Sequence, residues 1–180
     1  IVEEHMLRVL PDGRPLERAA LAEPLAVALH AVGLAGDVSG KRVLVIGAGP
    51  IGLLVVAAAV HAGAGVVGAS DVRTEPLDRA QALGATEVAL VGRDTIENES
   101  YDVVFECSGV GVALTQAVRA TRRTGTIVQV GMLPNADIGV NLAPLLAKEP
   151  TIRGAFRFST EIDDAVRMLA AHYASADDID

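Results

Sequence analysis

The sequence predicts an α/β chain: one doubly wound parallel sheet of six strands with helices on both faces. Short apolar runs rich in Val, Ile and Ala alternate along the chain with stretches of helical spacing, the pattern of repeated strand–helix crossovers. Apolar residues make up 51% of the chain, yet only 3% are aromatic and there is no Trp. The interior must therefore be aliphatic strands packed under Ala-rich helices. At 180 residues the chain is long enough for one such core, burying about 70% of its unfolded surface.

Residues 15–33 read as a helix interrupted by Pro24, a connector arriving from elsewhere. Arg42–Ile46 is a continuous apolar run ending at Gly47, which suits a strand buried on both faces. Residues 50–61 follow as a helix, with Pro50 at its first position, where a missing N–H costs nothing. Residues 65–70 form the second strand, 75–83 a helix closed by Gly84, and 87–91 the third strand. Residues 94–100 are polar and too short for a full helix. Then come a strand at 102–107, a helix at 110–121, and a fifth strand at 126–130 after Gly125 resets the chain. A short helix at 141–148, a strand at 151–156 and a helix at 161–171 complete the set. Six strands joined this way predict the order 3-2-1-4-5-6. Residues 1–36 are expected to be a connector and helix arriving from elsewhere, and 37–180 the sheet-forming domain.

Composition excludes several classes of partner. The formal net charge is −8, which repels nucleic acid and anionic membrane surfaces. The most apolar stretch, 51–60, is about half the length a membrane span needs. The opening residues Ile1 to His5 have no basic start and no apolar core, so no leader is expected. Cys107 is the only cysteine; a reducing, cytoplasmic setting fits. It has no neighbouring base in the sequence and reads as a small buried residue rather than a nucleophile. The four histidines, His5, His30, His61 and His172, lack metal-ligand spacing and read as connector, core or surface residues.

The chemistry-bearing motif is Gly47-Ala48-Gly49-Pro50-Ile51-Gly52, a G-x-G-x-x-G that follows a buried strand and opens a helix. That context separates a dinucleotide (Rossmann) fingerprint from an ordinary glycine-rich turn. Gly47 permits the tight turn, Gly49 lets the backbone approach a pyrophosphate, and Gly52 lets helix and strand pack closely. The positive end of the helix then faces the phosphates. Asp71 stands 19 residues after Gly52, where the fingerprint expects an acid on the adenosine ribose hydroxyls. A carboxylate there repels a 2′-phosphate and favours NAD over NADP. Arg73 beside it would suit a 2′-phosphate; its other readings are a solvated loop residue or a stack on adenine.

Further segments carry a resemblance: Ala22-Glu23-Pro24-Leu25-Ala26-Val27, Phe105-Glu106-Cys107-Ser108-Gly109, Val128-Gln129-Val130-Gly131-Met132, and Arg153-Gly154-Ala155-Phe156-Arg157-Phe158. With the glycine motif they resemble the cofactor domain of the zinc-dependent medium-chain dehydrogenases, in the sorbitol dehydrogenase branch. The resemblance implies an oxidoreductase that, at full length, oxidises a secondary alcohol of a polyol or sugar acid, L-idonate-like, to a ketone, using NAD and zinc. It implies Glu23 as a direct or water-bridged zinc ligand, although a Glu before Pro is otherwise an ordinary helix cap. Pro50 and Ile51 join the glycines at the cofactor, and Cys107, Ser108 and Gly109 pass along it. The backbone of Val130, Gly131 and Met132 meets the nicotinamide carboxamide, and Phe156 and the catalytic candidate Arg157 lie near the ring and substrate. The sequence departs from the branch at Phe158, where Tyr is common, and at Pro76, where Arg is frequent. The remaining zinc ligands belong to the N-terminal domain, so this chain alone is expected to be inactive. The resemblance also implies a homodimer or homotetramer through the edge of the sixth strand, an edge hazardous if left open. Two alternatives stay open: a zinc-free NADPH quinone reductase of the same superfamily, and a non-enzymatic NAD-sensing module.

Overall fold

The computed structural model describes residues 3, 7–9 and 19–171. Residues 15–18 of the expected connector helix, and His5 and His172, lie outside the described residues. One parallel sheet forms the centre, in the order β3-β2-β1-β4-β5-β6, as the crossovers predict. Its strands are β1 (Arg42–Ile46), β2 (Val66–Asp71), β3 (Glu87–Leu90), β4 (Tyr101–Glu106), β5 (Thr121–Gln129) and β6 (Thr151–Gly154). Between them run α1 (Ala22–Leu34), α2 (Pro50–His61), α3 (Thr74–Ala82), α4 (Gly111–Ala120), α5 (Ala143–Lys148) and α6 (Ile162–Ala171). Among the described residues no helix is long and apolar enough to cross a membrane.

Strand side chains alternate between faces, and the sheet therefore carries two cores. Val43, Val45, Val103, Phe105 and Val128 pack under α1, α2, α3 and α6. Leu44, Ile46, Val104 and Ile127 pack under α4 and α5. Phe105 is the largest side chain fully out of water, and apart from Tyr101 and Met168 the rest of the hydrophobic core is aliphatic, as the composition requires.

Three expectations need correction. Pro24 does not interrupt a helix: it sits inside the first turn of α1, where its missing N–H has no intrahelical acceptor to lose. The fifth strand begins at Thr121, directly from α4, not at residue 126. Thr121 pairs with Tyr101 and Thr126 with Val103, so the ladder is broken between them and is regular only from Thr126 onward. Thr124 there adopts a left-handed φ of 55°. This irregularity also turns Tyr101 onto the α4 face, although it is two residues from Val103. The sixth strand stops at Gly154, short of residue 156, because the Ala155 N–H makes the last bond, 2.9 Å to Gln129 O, and β5 ends there.

The start of β5 is fastened by Lys148. Its ammonium is buried and donates to the carbonyls of Val118, Arg119 (3.0 Å) and Thr121 (2.6 Å). These are the free acceptors that every helix leaves at its C-terminal turn. Between β3 and β4 no helix forms. At the amino ends of β1, β3 and β4, Arg42 pairs with Glu87 at 3.0 Å and lies over the Tyr101 ring, 5.2 Å from its centroid, while the Tyr101 hydroxyl donates to Glu87 at 2.8 Å.

Candidate functional site

The strand order reverses between β1 and β4, and in open α/β sheets the crevice beyond that point is the usual ligand site. Here the turn after β1 meets the turn after β4. Gly47 has φ 91°, a left-handed conformation that glycine adopts without penalty. A Cβ on it would stand 2.8 Å from the Ser108 nitrogen. A Cβ on Gly52 would overlap the Gly47 carbonyl oxygen. Both glycines are therefore required by close approach of backbone to backbone. Gly49 differs: nothing lies within 4 Å of its missing side chain. It is the N-cap of α2, with Pro50 next, and no acidic residue stands in the first turn. The Ile51 and Gly52 amides lie in the first turn of α2, where a helix leaves its N–H groups without intrahelical acceptors. This is a cradle for an anion, and it fits the diphosphate of a dinucleotide.

Asp71 is brought into contact with the same turn. Its Oδ2 accepts from the Ala48 N–H at 2.9 Å and its Oδ1 from the Arg73 N–H at 3.0 Å. Each oxygen keeps lone-pair capacity for a further donor, as a pair of ribose hydroxyls would supply. The Arg73 side chain is exposed at the N-cap of α3. Beside Asp71 opens a cleft of about 430 Å³ lined by Val72, Val91, Ile96, Val110 and Val112, with Ser70 at its floor. Val72 and Val112 are 72% and 74% exposed, apolar walls open to solvent. Ser70 is fully buried, and its Oγ has no hydrogen-bond partner among the described residues.

On the other flank, the turns after β4 and β5 are in backbone contact. A Cβ on Gly131 would overlap the Gly109 nitrogen, and one on Gly109, itself at φ 71°, would lie 2.5 Å from Met132 O. Cys107 packs against the core; burial first, and the Glu106 charge second, push its thiol up and away from nucleophilic use. The node of this flank is Glu106, with no exposed surface. Its carboxylate accepts from the Ser108 N–H (2.8 Å), the Ser108 hydroxyl, the Gly109 N–H (3.1 Å) and the Gln129 amide. The sequence motif named Glu106 but gave it no task. The available signal was an acid closing an apolar strand, a position that burial forces to find several donors.

Phe156 and Arg157 follow β6 at the same end of the sheet. Arg157 adopts a left-handed φ of 55° and stacks its guanidinium 5.2 Å from the centre of the Phe156 ring. Both are exposed, and neither has a hydrogen bond to the other site residues. Phe158 is half-buried against the core, and Pro76 is buried in α3. Glu23 is exposed in the first turn of α1. The loops before β1 and after α2 meet where Gly40 N–H donates to Gly63 O at 2.8 Å, and among the described residues no hydrogen bond ties Glu23 to the other site residues. No group of three or more His, Cys, Asp or Glu able to hold a metal occurs among the described residues. His30 instead bonds Glu161 at 2.8 Å. Burial pushes the Glu161 carboxyl up, but the bonds from His30 and the Ser159 N–H outweigh this and leave it below its ordinary value.

Residues 50–171 match the family model described as zinc-binding dehydrogenase. The chain is 39% identical over 156 residues to L-idonate 5-dehydrogenase (NAD(P)(+)) of Escherichia coli, covering 84% of this chain and 45% of that protein. It is 38% identical over 182 residues to sorbitol dehydrogenase 1 of Saccharomyces cerevisiae, covering 93% and 51%. The crystal structure of the E. coli L-idonate 5-dehydrogenase superposes with a TM-score of 0.90 at 36% identity, over 94% of this chain and 50% of that one. That of 2R,3R-butanediol dehydrogenase from Bacillus subtilis gives 0.88 at 32% identity, over 98% and 53%. The chain spans about half the length of the curated relatives it matches.

Proposed function

The chain belongs to the zinc-binding dehydrogenase family, and on that premise we propose that it is the NAD-binding part of a dehydrogenase that oxidises a secondary alcohol of a polyol or sugar acid, L-idonate-like, to a ketone. Residues 37–180 form the cofactor unit in this reading, and 1–36 the connector to a catalytic domain. The observation that supports it most is the direct bond between the Asp71 carboxylate and the Ala48 amide. It puts an acid for a ribose and an amide cradle for a diphosphate side by side at the strand-order reversal.

NAD, when bound, supplies the hydride acceptor. The chain's own residues hold it. The Ile51 and Gly52 amides meet the diphosphate, Asp71 takes the adenosine ribose hydroxyls, and the valine-walled cleft takes the adenine. Ser108, Gly109 and the backbone of Val130, Gly131 and Met132 orient the nicotinamide half, and Arg157, steadied on Phe156, is the cation that orients a hydroxylated or carboxylated substrate. A zinc site needs about four ligands, and the described residues hold no group of three or more His, Cys, Asp or Glu able to bind a metal. They do not by themselves fit the metal, and no step is assigned to it. Glu23 is the one carboxylate this chain would contribute. The bare β6 edge, exposed at all four residues, suits pairing with a second copy, and the single cysteine suits a cytoplasmic setting.

The test is a titration of the chain with NADH and NADPH by calorimetry. A preference for NADH is expected, because the carboxylate of Asp71 repels a 2′-phosphate. A strong preference for NADPH would remove the polyol dehydrogenase reading in favour of a quinone reductase.

A further inference from the structure

We propose that Glu106 is a positioning residue: its buried carboxylate locks the turns after β4 and β5 into one unit and so sets where the backbone of residues 130–132 meets the nicotinamide half of the cofactor. This rests on the cofactor reading above. Glu106 has no exposed surface, so it touches neither cofactor nor substrate and acts only through its neighbours.

Both ends of the residue serve the same purpose. Its main-chain carbonyl accepts from the Val130 and Gly131 N–H groups, each at 2.8 Å. Its side chain collects the Ser108 and Gly109 N–H groups and the Ser108 hydroxyl from the turn after β4. From β5 it takes the Gln129 amide, whose nitrogen also donates to Gly131 O at 2.8 Å. Gln129 is thus the second half of the lock. Its two N–H groups are spent on a carboxylate and a carbonyl, while its buried Oε1 has no partner among the described residues. Turning the amide over would set that oxygen against both acceptors, so the orphaned atom is the cost of a fixed orientation. Register places Glu106 opposite Ile46 on one side and Gln129 on the other, so the lock lies between the first glycine turn and the turn after β5.

A glutamine at 106 would turn an N–H₂ toward groups that are all donors, and the turns would part. The test compares NADH with ADP-ribose, which lacks the nicotinamide, on the 180-residue chain by calorimetry. For Glu106→Gln, NADH affinity is expected to fall about tenfold or more while ADP-ribose affinity stays within about twofold, the scale of one lost hydrogen bond to a charged group confined to one half of the site. Gln129→Met, which cuts only the β5 tie, should show the same split to a smaller degree. ADP-ribose binding reports that each variant is folded. Unchanged NADH affinity in both variants overturns the proposal, as does a parallel loss of both ligands, which would make Glu106 merely structural. A wild-type chain that takes up neither ligand overturns the cofactor reading, and this inference with it.

Discussion

On the β1–β2 flank of the crevice, shape comes from what side chains leave out: Gly47 and Gly52 allow backbone to touch backbone, and Gly49 keeps a space open. On the β4–β5 flank, shape comes from one buried acid that gathers donors from two turns. The first device depends on sterics alone and fails all at once when a methyl is added. The second depends on directed hydrogen bonds and fails by degrees. The difference shows that one ligand site can be held rigid by exclusion on one side and by attraction on the other.

The largest effect should come from breaking the steric flank. Gly52→Ala sets a methyl on the Gly47 carbonyl, and backbone cannot yield cheaply; a loss of about 3 kcal/mol or more is expected, read as a lowered urea midpoint together with lost NADH binding. Lys148→Met comes next. It leaves the carbonyls at the end of α4 without their donor and should cost about 2–3 kcal/mol, again in urea. It should leave ADP-ribose affinity of the remaining folded chain intact, since Lys148 holds the C-terminal end of α4 whereas the adenosine cleft is lined by its N-terminal part. Asp71→Ala sharpens the contrast with Glu106. It should weaken NADH and ADP-ribose alike, by about 1–3 kcal/mol, because its task is on the half the two ligands share; an unchanged affinity would refute the ribose assignment. The smallest effect is a titration. Burial first, and the Glu87 bond second, raise the Tyr101 phenol from 10.0 to about 12. The folded chain then keeps a proton that the unfolded chain releases. Stability from this source is whole below pH 10 and is lost as the pH climbs from there through about 12. In a Tyr173→Phe background, phenolate absorbance rising near pH 12 is expected; a rise near the ordinary tyrosine value would count against the Glu87 bond.

This contrast also governs what could be read in advance. The β1–β2 flank was legible because glycines at fixed offsets after an aliphatic run, followed by an acid at the next strand end, leave few alternatives. Strand order was legible for a similar reason: each crossover constrains the next. The β4–β5 flank was recognisable only by resemblance, because nothing local in Phe105-Glu106-Cys107 says which donors reach the carboxylate. Gln129, which completes the lock, is 23 residues away. The early start of β5 was hidden for a related reason. Thr121 joins the sheet through one pairing with Tyr101 and a broken ladder, and neither leaves a periodic trace. Pro24 misled because a proline in the first turn and one in the middle of a helix look alike until the start of the helix is known. Lys148 reads as an ordinary surface residue of a short helix, yet it is 3% exposed; only the arrival of α5 over the end of α4 gives its charge a place.

Strand β5 is thus pinned twice, by the Lys148 ammonium where it leaves α4 and by the Gln129 amide where it reaches the crevice. A rod clamped at both ends cannot slide along its neighbours. Gly131 is tied through both its N–H and its carbonyl, so any adjustment to an arriving ligand has to come from the segment beyond it, and the sheet beneath should stay still while the tip swings.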